Sequence, residues 1–236
     1  MKIGILGGTG NMGRGLTVRL ALKHEIFVGS RTLEKARRIS RELYNLARGF
    51  YQADMVGTIT GALNPDAIRM SEVVIVTLPS EYSASVMDQL KENLTEEHVI
   101  VSTVVPMTRR KRLFYWTPLE EEEIAAMGGR SAAEVIQEVV KPTPVVSAFQ
   151  TVPAAYLSNI DAVLNVDVLI AGDDALALAK VSSLVRDIPN LRPLKVGPLE
   201  NSKWVESITP LLLNAAILNG LQDPTIRVVP WMPASD

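Results

Sequence analysis

Three glycines, Gly8, Gly10 and Gly13, follow the apolar residues 3–6 in the spacing Gly-x-Gly-x-x-Gly. Between a first strand and a first helix, such spacing does specific work. Gly8 permits the tight turn, Gly10 lets the main chain approach a pyrophosphate, and Gly13 lets the helix close on the strand. The N–H groups of the first helical turn and the positive end of the helix dipole then face the phosphates. The end of the second strand selects the cofactor. An Asp or Glu there would bind a ribose 2′-hydroxyl, but this chain has Ser30 and Arg31, with Lys35 one helical turn on. A hydroxyl, a guanidinium fork and an ammonium suit a 2′-phosphate, so the expected cofactor is NADP. Cations at a helix start also call for an anion beside them.

What else could do chemistry is sparse. The opening "GGTG" also begins extended short-chain dehydrogenases, which need Tyr-x-x-x-Lys. None of Tyr44, Tyr51, Tyr82, Tyr115 or Tyr156 has a lysine four residues on. Reduction of a carbonyl would also need a proton donor, usually His, Lys or Tyr. His24 lies in the turn before the second strand and His98 at the start of another, and both read as structural or surface residues. No acid–base centre is evident, as expected if hydride passes between two cofactors.

Positioning these residues requires a parallel sheet. Strand-like runs fall at 2–6, 25–29, 73–78, 99–104, 145–148, 166–171 and 192–196, mostly separated by helical periodicity. The first helix is expected over 10–22. Strands alternating with helices predict an α/β, Rossmann-type doubly wound parallel sheet. A boundary near residue 146 would separate an NADP-binding domain, 1–146, from a smaller C-terminal α/β domain, 147–236. Residues 106–130 carry "RRKR" and "EEEE" and read as a solvated loop or exposed helix. Pro210 predicts a break or kink in the apolar helix of residues 201–220.

Composition narrows the classes. The chain has 236 residues, 47% hydrophobic, with net charge −2, so no overall positive field attracts nucleic acid or an anionic membrane. The absence of cysteine excludes disulfides, iron–sulfur clusters and cysteine nucleophiles, and two histidines leave no metal site expected. Without a span-length apolar stretch or signal-peptide pattern, a cytoplasmic protein is expected. The leucines around 211–218 are too apolar to face water all round, which predicts a homodimer.

The chain resembles the NADPH-dependent reductases of the deazaflavin coenzyme F420. The resemblance runs through "ILGGTGNMGRGL" (5–16), "VGSRTLEKA" (28–36), "VTLP" (76–79), "VSTVVP" (101–106), "RSAAE" (130–134), "VVSAF" (145–149), "VPAA" (152–155), "GDD" (172–174), "LRPLKVGPLENS" (191–202) and "VESITPLLLN" (205–214). It implies reversible hydride transfer between NADP(H) and F420, stacked in a cleft between the two domains. Thr9, Gly10, Asn11, Met12, Ser30, Arg31 and Lys35 would hold the NADP adenosine and phosphates. Leu78 and Pro79, with Val104 and Ala154, would border the nicotinamide. Pro106, Gln150, Val152, Pro153, Ala155 and Leu213 would line the deazaflavin side. Gln150 stands where the family often has histidine or asparagine, and would contact the pyrimidine edge of the ring. Alternatives are a reductase of FMN, FAD or a small imine, and a non-catalytic NADP sensor. A sensor has no need of the apolar wall "VPAA".

Overall fold

A computed structural model describes residues 1–119 and 129–229; the acidic run 120–123 lies outside them. The first half alternates β1 (Lys2–Leu6), α1 (Asn11–Leu20), β2 (Glu25–Ser30), α2 (Leu33–Tyr51), β3 (Thr58–Leu63), α3 (Asn64–Arg69), β4 (Val73–Val76), α4 (Ser80–Leu90) and β5 (Val99–Ser102). A hairpin, β6 (Met107–Arg110) and β7 (Leu113–Trp116), follows. Then come α5 (Ala132–Val140), β8 (Val145–Ser147), α6 (Ala154–Ser158), β9 (Val166–Gly172), α7 (Ala175–Arg186), β10 (Leu191–Lys195) and α8 (Ser202–Asn219). Eight strands form one sheet in the order β10-β9-β8-β5-β4-β1-β2-β3. All neighbours are parallel except β8 and β9. This is the expected Rossmann-type α/β sheet.

Its strands read as continuous apolar runs because both faces are covered. Val73 and Ile75 pack into one core with Leu16, Val18 and Leu157, while Val74 and Val76 pack into the other with Ile136 and Leu199. Residue 146 falls inside β8, and β9 and β10 extend the same sheet.

Four local expectations need correction. The strand β3 escaped the pattern because Gly61 interrupts "TITGAL". A Cβ at Gly61 would lie 2.4 Å from the Ala36 backbone, so glycine is what lets α2 seat on the sheet. Within 106–130, residues 107–116 form the hairpin rather than a loop or helix. Helix α8 runs for 18 residues with Pro210 inside it, so the helix does not break there. The expected turn glycine also moves by one. Gly7 has φ +83°, whereas Gly8 is needed for space, its Cβ falling 2.9 Å from Val28 Cγ1.

Candidate active site

Parallel pairing brings the expected residues to one edge. Leu6 is paired with Gly29 and Val76, Val76 with Ser102, and Ser102 with Ser147. The carboxyl ends of β2, β1, β4, β5 and β8 therefore lie side by side. Along that edge stand Ser30 and Arg31, then Thr9–Met12, then Leu78 and Pro79, then Val104 and Pro106, then residues 150–155. Open α/β sheets bind ligands at this edge.

The glycine turn is closed by its own hydrogen bonds. Thr77 Oγ1 donates to the Leu6 carbonyl, and the Gly10 N–H donates to the Gly7 carbonyl at 3.0 Å. Gly13 closes the packing, since a Cβ there would lie 2.6 Å from Gly8 Cα. Gly10 is the opposite case: it is exposed, and its Cβ would meet only the Gly7 carbonyl oxygen, at 3.6 Å. Protein therefore leaves room over Gly10, the space a phosphate would take. No side chain caps α1, so its first-turn N–H groups stay open to an anion.

The start of α5 shows the contrast. Ser131 and Glu134 form a capping box, and Glu206 of α8 accepts N–H bonds from Ala132 and Ala133 at 3.0 and 3.2 Å. Every first-turn donor there is satisfied, so "RSAAE" is a closed helix start. Trp116 Nε1 of β7 donates to the same Glu206 carboxyl at 3.4 Å. Glu206 is fully buried, and desolvation pushes its pKa up to about 8 against the three N–H donors.

At the end of β2 and the start of α2, Arg31 and Lys35 are exposed and Ser30 is half-buried. Neither cation forms a salt bridge with any described acid. Thr32 precedes α2 without a side-chain cap, leaving that helix start open beside them. Beyond the turn, Leu78 is half-buried and Pro79 exposed, whereas Val104 and Val152 are 3% and 2% exposed and sit in the two cores. Val104 and Val152 shape the edge from beneath.

Gln150 differs from the expectation in its hydrogen bonding. Its Nε2 donates to the Ser102 carbonyl at 2.9 Å and to Ser147 Oγ at 2.8 Å, tying the end of β8 to β5. The carbonyl can only accept, which sets the orientation of the amide. Gln150 Oε1 is left buried without a partner among the described residues, while Nε2 is occupied by its two acceptors. Thr209 Oγ1 donates to the Gln150 carbonyl, placing α8 against this loop, with Leu213 one turn further on and half-buried.

Helix α6, which carries the half-buried Ala154 and the exposed Ala155 behind Pro153, is held by a residue the motifs did not reveal. Arg19 of α1 is 5% exposed, and its guanidinium donates to the carbonyls of Tyr156, Leu157, Asn159 and Ala162. Burial lowers its pKa, and four carbonyls replace water around the guanidinium. Gly15 lets the helices touch, its Cβ position being 2.5 Å from Leu157 Cβ. Ser158 Oγ donates to the Asn11 carbonyl, joining α6 directly to the end of the glycine turn. Arg19 reads from sequence as one more helical cation. Only the fold shows what it reaches.

Among the described residues, no cluster of potential ligands could hold a metal, and no helix is long and apolar enough to cross a membrane. Residues 2–106 match the family described as NADP oxidoreductase, coenzyme F420-dependent. The chain is 36% identical over 230 residues to the F420-dependent NADP reductase of Methanocaldococcus jannaschii, covering 97% of this chain and 98% of that one. The chain belongs to this family. The F420-dependent NADP reductase of Methanothermobacter marburgensis is 32% identical over 235 residues, again with 97% and 98% coverage. A solved structure of a candidate F420-dependent NADP-reductase from Arthrobacter sp. FB24 has the same fold, with TM-score 0.76 at 20% identity, covering 98% of this chain and all of that one.

Proposed function

We propose that the edge from Arg31 to Ala155 is the site where an NADP-dependent oxidoreductase transfers hydride reversibly between NADP(H) and coenzyme F420. Membership of the family supports the reaction, and the sheet register supports the placement. NADPH supplies hydride from nicotinamide C4, and the deazaflavin ring accepts it at its reactive carbon. The protein's part is to position the two rings and keep water away. Open N–H groups of Thr9, Asn11 and Met12 hold the pyrophosphate over Gly10, and Ser30, Arg31 and Lys35 hold the 2′-phosphate. Leu78, Pro79 and Ala154 flank the nicotinamide. Residues 147–229, as a C-terminal unit, supply the opposing wall through Pro153, Ala155 and Leu213, with Val152 packed beneath it. Gln150 Oε1 accepts an N–H from the pyrimidine edge of the ring. Val104 and Pro106 support the floor.

We also infer a cytoplasmic homodimer. Leu211, Leu218 and Leu221 of the α8 region are 66%, 63% and 52% exposed, an apolar face suited to a second copy. A monomer by light scattering at micromolar concentration would refute the dimer. The test of function is single-turnover transfer from C4-deuterated NADPH. Label should reach the deazaflavin; failure to do so alongside efficient reduction of FMN or an imine would move the assignment to that acceptor.

A further inference from the structure

The hairpin β6–β7 grows out of the deazaflavin side of the edge, and its tip carries four consecutive cations, Arg109, Arg110, Lys111 and Arg112, all exposed. None of them forms a salt bridge with a described acid. In a chain of net charge −2 this is a concentrated local positive field.

The hairpin is built to hold these charges in place. The Thr117 N–H donates to the Pro106 carbonyl at its base. Asn214 of α8 pairs with both main-chain groups of Phe114, at 2.7 and 2.8 Å. Trp116 is tied to Glu206. Arg109 lies over the Phe114 ring at 5.7 Å and Arg110 over the Tyr115 ring at 5.2 Å. Two of the four guanidinium and ammonium groups are thus fixed by ring contacts, with their remaining N–H donors free. The strand directly follows Pro106, and four residues at about 3.3 Å each put the tip roughly 13 Å from the edge where the ring is to bind.

We propose that this tip binds the anionic side chain of the second redox substrate, a phosphodiester continued by carboxylates, as deazaflavin coenzymes carry beyond the ring. The inference rests on the deazaflavin reading of the site. The edge takes the ring, and the hairpin takes phosphate and carboxylate oxygens at a distance the ring cannot reach. The tip therefore distinguishes a tailed deazaflavin from its bare ring system, a selectivity separate from the hydride step.

The experiment is an equilibrium titration of deazaflavin fluorescence with the full chain, using F420 and the tail-less 8-hydroxy-5-deazariboflavin in parallel. Replacing all four cations by glutamine should weaken F420 binding about 10-fold at low ionic strength and change the tail-less compound less than about twofold. The pair K111Q/R112Q, which leaves both ring contacts intact, should weaken F420 binding by about threefold. Roughly 0.5 M salt should erase most of the difference between parent and variants for F420. Unchanged F420 affinity in both variants, or equal loss for the two compounds, overturns the proposal. If the parent protein binds neither compound, the deazaflavin reading itself fails, and the proposal with it.

Discussion

Arg19 gives the sharpest test of how the site is held. Replacing it by methionine keeps much of the stem volume and removes only the guanidinium. The four carbonyls of Tyr156, Leu157, Asn159 and Ala162 then lose their donor together. Hydrogen bonds to a charged group are each worth about 1.5–3 kcal/mol, but they do not add, and removal also returns the desolvation cost of a guanidinium that is 5% exposed. Carbonyls at the end of α6 can partly turn to water, so the net loss should be about 2–4 kcal/mol. It should show in urea unfolding as a lower midpoint. The functional effect should be larger on the second substrate than on NADPH, because α6 carries Ala154 and Ala155, whereas the glycine turn keeps its own contacts through Thr77. We expect hydride transfer to the deazaflavin to fall by about 10-fold or more with NADPH affinity within a few-fold. A variant within about 0.5 kcal/mol of the parent and with unchanged deazaflavin kinetics would refute the assignment of Arg19 as the residue that positions the wall.

Arg31→Asp should weaken NADPH binding by about 2–4 kcal/mol while NADH loses far less, and equal binding of the two nucleotides by the unmodified protein would contradict the 2′-phosphate assignment. Ala155→Trp should cut the rate on deazaflavin by about 10²-fold with NADPH affinity nearly unchanged, whereas a normal rate would place the ring elsewhere. Glu206 predicts a pH dependence of stability. Its folded pKa of about 8 lies above the unfolded carboxyl value, so the protonated form is favoured on folding and stability falls as pH rises from about 4.5 to about 8, by on the order of 1.4 kcal/mol per unit at most. Glu206→Gln should flatten that fall in denaturation curves taken at pH 5.5 and 8.5, and an unchanged slope would show that Glu206 is ionised throughout.

What could be read from the sequence depended on the range of the interaction. Strands β1, β2, β4, β5 and β9 are legible because burial on both faces makes each a short continuous apolar run. The glycine spacing is legible because a turn, a phosphate and a helix start constrain neighbouring residues. Even there, the pattern could not separate Gly7 from Gly8: one needs positive φ and the other needs space against Val28, and either demand selects glycine. β3 was hidden by the same ambiguity, since the Gly61 that α2 requires looks like a strand breaker. The charged run 109–112 looked solvated, and its residues are indeed exposed, but exposure does not distinguish a loop from a two-stranded ribbon whose order comes from Asn214 and Glu206 roughly 100 residues later. Gln150 makes the point most directly. A glutamine at that position announces a donor and an acceptor, yet Ser102 and Ser147 consume the donor, and only the fold reveals that the acceptor alone is left without a partner among the described residues. Residue type therefore limits the chemistry available at the edge, while contacts between distant segments decide which part of each side chain remains free to perform it.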